Sequence, residues 1–74
     1  MEKSYKQKIK EYVEDGFVAF EHGYKPSFNM WGVSSEIVYG HCGKRMKVDE
    51  LTESQAQIVY RDIMNYEHYC KYSA

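Results

Sequence analysis

His22, His41, Cys42, His68 and Cys70 are the residues of this chain best suited to metal or nucleophile chemistry, and their spacing argues against both. A structural zinc needs four converging nitrogen or sulfur ligands. On a helix, His68 and Cys70 stand two apart and point about 200° away from each other. On a strand, the adjacent His41 and Cys42 face opposite sides, and only a turn brings them together. No C-x-x-C or H-x-x-x-H spacing occurs. A zinc-supported fold is therefore the weakest reading, and no metal or cofactor is expected. A Cys42 nucleophile needs a base from a separate element, such as His68 or His22. Ser34-Ser35 lacks a G-x-S-x-G setting and reads as a turn. Asp49, Glu50 and Glu53 crowd the start of a helix, where acids stabilise the helix dipole.

Basic residues carry a second kind of chemistry. Lys3, Lys6 and Lys10 share one helical face, and Lys44, Arg45 and Lys47 crowd a hairpin. Lysines interleaved with tyrosines suit phosphates and bases. Glu14 and Glu21 extend the same helical face, however, and the net charge is −1. Nucleic-acid binding is thus the alternative function rather than the leading one.

The richest interface chemistry lies in the last third of the chain. Ala56, Val59, Ile63, Tyr66 and Cys70 recur at helical spacing and form a stripe that must be buried. Ile58, Arg61, Asn65, His68, Tyr69 and Tyr72 fall on the other side. These types are enriched at protein interfaces, and Lys and Glu are scarce among them. A second cluster, Phe28, Met30 and Trp31, stands beside Gly32 in what reads as an exposed loop. Together they predict a protein-binding surface, or self-association through the last helix, in a protein that is not an enzyme.

The elements that position these residues follow from periodicity and punctuation. A helix is expected from about residue 3 to 22, with Tyr5, Ile9, Tyr12, Val13, Gly16 and Phe20 on one face. Gly23 and Pro26 stop it. The competing reading ends it at Asp15-Gly16 and makes Phe17–Phe20 a short strand. Residues 27–48 are β-like: Glu36-Ile37-Val38-Tyr39 and Arg45-Met46-Lys47-Val48 form an antiparallel hairpin around Cys42-Gly43. Phe28–Gly32 is either a third strand or a loop, and Gly40 marks a bulge or a close approach. Thr52-Glu53-Ser54-Gln55 matches a capping box and opens a helix over 53–72.

This predicts a single α+β domain over residues 1–74, helix, β-hairpin or three short strands, helix, with both helices on one sheet face. A chain of 74 residues with eight Tyr, three Phe and one Trp can fill a small core, but leaves little room for a deep substrate cavity. The start is polar and no run is long enough to span a bilayer, so the cytoplasm is the expected compartment, with no membrane partner. There Cys42 and Cys70 are reduced and act as small hydrophobes. In its brevity, its lack of a targeting signal and its Tyr, Lys and Glu content, the chain resembles the small stand-alone products of phages and mobile elements. That resemblance implies stoichiometric inhibition or redirection of a host or defence protein.

Overall fold

In the computed structural model, residues 3–21, 23–27, 29–40 and 43–72 are described. Ser4 caps the first helix, α1 (Tyr5–Val13), its hydroxyl accepting from the Gln7 N–H at 3.2 Å. Ile9 and Val13 are its buried residues. The helix ends at Val13, which corrects the expectation of a continuous helix to residue 22. Glu14 takes a positive φ of 52°, and Asp15 and Gly16 complete a turn. A Cβ on Gly16 would lie 3.2 Å from the Val13 carbonyl oxygen, so this glycine serves the turn rather than the packing of another element. Phe17–Ala19 then form strand β1. Phe17-Val18-Ala19-Phe20 is a continuous apolar run, which periodicity alone cannot assign to helix or strand. Pairing decides it, because Val18 lies opposite Val33 and packs against the core. Gly23, with φ of 80°, therefore belongs to the loop after β1 and not to a helix end. His22 lies outside the described residues.

Three further strands follow: β2 (Met30–Ser34), β3 (Ile37–Gly40) and β4 (Arg45–Lys47). Among the described residues they form a four-stranded antiparallel sheet in the order β1-β2-β3-β4. Ser34 makes the β2–β3 turn. Its hydroxyl accepts from the Ile37 N–H at 3.0 Å and donates to the Ile37 carbonyl at 3.2 Å. Val18, Val33 and Val38 form a cross-strand row on the inner face. The register slips in β2: Met30 pairs with Gly40 and Gly32 with Tyr39, so Trp31 is an extra residue in a β-bulge. The bulge changes the phase of the strand. Met30 and Val33, three apart, are both in the core, while Trp31 is exposed. The irregularity expected at Gly40 thus falls on its partner strand.

A 3-10 turn, Val48–Glu50, leads to helix α2 (Glu53–Tyr72). The capping box forms: the Thr52 hydroxyl accepts from the Gln55 N–H at 3.1 Å, and the Gln55 side chain accepts from the Thr52 N–H at 3.0 Å. Glu53 also accepts from the Tyr5 N–H, so an acid opening α2 satisfies the first turn of α1. Ala56, Val59 and Ile63 are buried as the stripe predicts, while Tyr66 and Cys70 are half-buried. Both helices pack on one face of the sheet around Ile9, Val13, Met30, Val33, Val38, Val48, Leu51, Ala56, Val59 and Ile63. The expected α+β class is thereby met, with four strands where a hairpin or three strands were expected. Met46, on the edge strand β4, is 37% exposed. Among the described residues, no helix is long and apolar enough to cross a membrane.

Candidate functional site

With both helices on one side, the opposite face of the sheet carries the side chains that alternate with the valine row. Register places Phe17, Gly32, Tyr39 and Arg45 there, with Ile37 and Lys47 beside them. Phe17, Trp31 and Tyr39 form a triangle of rings with centroids 5.4 to 5.7 Å apart. The Arg45 guanidinium stands 5.8 Å from the Tyr39 ring. Phe17 and Trp31 are 48% and 44% exposed. A contiguous exposed patch of large aromatic rings is a candidate interaction surface. Trp, Tyr and Arg are the residue types most often found at binding hot spots.

The charge of this face is positive. Among the described residues, its outward strand positions hold Arg45 and Lys47 and no acid. The rings are tilted 38° to 64° to one another, so each packs an edge or a corner against its neighbours. They form one knob rather than separate flat platforms. No protein family, no curated protein and no solved structure matches this chain. The geometry of its own residues therefore carries the functional reading.

The sequence-derived cluster Phe28, Met30 and Trp31 is only partly brought together. Met30 is 1% exposed and belongs to the core, because the bulge turns it inward; its expected place in a binding loop is corrected. Trp31 stands on a strand, not in a loop. Phe28 lies outside the described residues. On α2, Ile58, Arg61, Asn65, His68, Tyr69 and Tyr72 are all exposed. Tyr69 nevertheless sits 5.5 Å from the Tyr24 ring, which also meets Phe20 and Tyr66. This aromatic cluster fastens the loop after β1 to α2, each ring pair contributing about 0.5–1.5 kcal/mol beyond its buried area. Tyr69 is thus a packing residue as much as a surface one. His68 and Tyr72 meet each other at 4.5 Å.

The proposed nucleic-acid set is divided. Lys3 pairs with Glu11 at 2.5 Å, Lys10 with Asp49 at 2.5 Å, and Lys6 donates to the Asp49 carbonyl at 2.9 Å. The Lys10 ammonium beside Asp49 holds its carboxyl below the ordinary carboxylate value, and Lys3 does the same to Glu11. The N-terminal lysines therefore tie α1 to itself and to the segment before α2, and do not form an open basic face. Lys44, Arg45 and Lys47 are exposed at the β3–β4 end of the aromatic face. No group of three His, Cys, Asp or Glu side chains converges among the described residues. His41 and Cys42 lie outside those residues, as does any pairing of Cys42 with Cys70.

Three structural residues escaped the sequence. Phe17 and Tyr39 become surface partners of Trp31 only through strand pairing. Asp62, 3% exposed, accepts from the Ser27 N–H at 3.3 Å and from its hydroxyl at 3.0 and 3.1 Å. Its position three after Val59 and four before Tyr66, inside the apolar stripe, was the available signal. Burial raises the Tyr24 phenol above its ordinary value, and the nearby Asp62 charge adds to this.

Proposed function

We propose that this chain is a non-enzymatic protein-binding module, and that its contact surface is the uncovered sheet face centred on Trp31. The observation that carries this is the exposed Phe17–Trp31–Tyr39 triangle with Arg45 against it. Three clustered rings and an arginine have the composition of a hot spot, and the surrounding sheet supplies a rigid frame. The partner it fits presents an apolar patch bordered by carboxylates, complementary to Arg45 and Lys47. The mode of action is occlusion. The chain's resemblance in composition to small phage and mobile-element products supports inhibition or redirection of a host or defence protein in the cytoplasm. The outer face of α2, through Ile58, Arg61 and Tyr72, is the secondary surface and the route for self-association.

Single-stranded nucleic acid on the same sheet face is the second reading. Arg45 against the Tyr39 ring favours it, while Lys47 shares a hollow with Glu36 and Asp49. The mutual tilt of the rings disfavours it, because stacked bases need accessible ring faces.

Affinity capture from the source cells tests the proposal. The intact chain and an Ile58→Ser/Tyr72→Ser variant should retain one protein in constant proportion, and a Phe17→Ser/Trp31→Ser variant with an unchanged melting temperature should lose it. Retention by the sheet-face variant would refute the proposal. Binding of a labelled oligonucleotide that weakens linearly in log–log form with salt would replace it with the second reading.

A further inference from the structure

The two edges of the sheet are built differently. The β4 edge carries Arg45 and Lys47, the charged residues with which natural sheets block unwanted pairing. The β1 edge reads Phe17-Val18-Ala19 and carries no charge. Its hydrogen-bonding groups can be assigned from the ladder. The Phe20 N–H donates to the Trp31 carbonyl at 2.9 Å, so by alternation Val18 exchanges its bonds with Val33. The N–H and C=O of Phe17 and Ala19 therefore point to the open side. One step further along, the Glu21 N–H is taken by the Tyr66 hydroxyl at 3.1 Å, which closes that end of the edge.

Beside this edge runs a groove of about 400 Å³, between β1 and the helix pair. Tyr12, Ile63 and Tyr66 give it an apolar floor, and Tyr12 is 40% exposed. Glu21 and Glu67 line it, Glu67 accepting from the Tyr12 hydroxyl, and no cation lines it among the described residues. Glu14 and Asp15, both exposed, stand in the turn that leads into the strand.

We infer that the β1 edge is a second binding site, which takes an extended basic peptide as a fifth strand. The backbone of the peptide pairs with Phe17 and Ala19. Its inward side chains continue the phase of Val18 and rest on Tyr12, Ile63 and Tyr66. Inward lysines or arginines lay their aliphatic stems on this floor and carry their charges to Glu21 and Glu67. Open backbone groups supply affinity in this mode, and pockets under alternate residues supply selectivity. A second copy of this chain is a poor occupant, because edge-to-edge pairing brings the acids around β1 against their own copies. The site shares Phe17 with the sheet face but does not depend on the function proposed for that face.

Labelled acetyl-Lys-Val-Lys-Val-Lys-Val-Lys-amide, with fluorescence anisotropy on the full chain, is the direct test. Saturable binding is expected. A peptide with Glu in place of Lys should bind about tenfold or more weakly, as should one N-methylated on alternate amides. Ala19→Pro removes only an outward N–H, which an edge strand tolerates, so the melting temperature should hold while binding falls by a similar factor. Equal binding of the methylated peptide, or no saturable binding to the intact chain, would overturn the inference. So would a concentration-dependent dimer that Ala19→Pro abolishes, since the occupant would then be a second copy. The methylated peptide decides the matter on the intact chain even where Ala19→Pro fails to fold.

Discussion

The tip of the Phe17 ring rests over Gly32 on the neighbouring strand, where a Cβ would collide with its Cζ. Gly32 is therefore the seat of the aromatic triangle. Gly32→Ala should push Phe17 off Trp31 with little loss of stability, because the colliding atom is the far end of a half-exposed side chain. Trp31 fluorescence should shift and partner capture through the sheet face should weaken. An unchanged emission spectrum with full capture would show that the triangle is not a unit.

Tyr69 and Tyr72 are three residues apart on α2 but do different work. Tyr69 packs on Tyr24, whereas Tyr72 is 69% exposed and meets His68. Tyr69→Ser should lower stability by about 1 kcal/mol or more through lost aromatic packing. Tyr72→Ser should leave it within about 0.5 kcal/mol. Urea denaturation of both variants checks the contrast, and equal losses would remove Tyr69 from the packed cluster.

Ser27 is a principal hydrogen-bond donor to the buried Asp62, through its N–H and its hydroxyl. Ser27→Ala keeps the N–H bond and strips the hydroxyl from a buried carboxylate. A loss of about 1–3 kcal/mol is expected, measured by thermal melting. The double variant Ser27→Ala/Asp62→Leu should recover part of it, because no unsatisfied charge then remains. Additive losses in the double variant would mean that the two residues act separately.

The Lys10–Asp49 and Lys3–Glu11 pairs add a small acid-sensitive contribution to stability. Both carboxyls are held below their ordinary values by the paired ammonium groups. A folded-state value below the unfolded one adds stability above the unfolded value, which is lost as pH falls through the folded one. Melting temperature should therefore drop on acidification below about pH 4. Lys10→Met should flatten that slope, and so should high salt, since both pairs are exposed. An identical acid limb in the Lys10→Met variant would show that other carboxylates govern it.

The legible parts of this molecule were local. The capping box at Thr52, the buried stripe through Ala56, Val59 and Ile63, and the Ser34 turn all depend on residues within a few positions of each other. Their chemistry is visible in the order of the chain. Phe17–Phe20 was ambiguous for a reason of the same kind: four consecutive apolar residues have no period, and only a partner strand decides between helix and strand. Of the proposed contact surface, the sequence singled out Trp31, and Arg45 only as part of a basic cluster.

By itself the sequence determined the α+β class, the last helix and its inner stripe, since apolar spacing and caps act over one or two turns. Tertiary structure alone decided which side chains face water on the sheet. The bulge at Trp31 shifts the alternation, so that Met30 and Val33 are both buried and Trp31 joins Phe17 and Tyr39 outside. A bulge is a property of two paired strands, and neither strand encodes it alone. The same holds for the open edge of β1, whose outward N–H and C=O groups exist only because β2 occupies its other side.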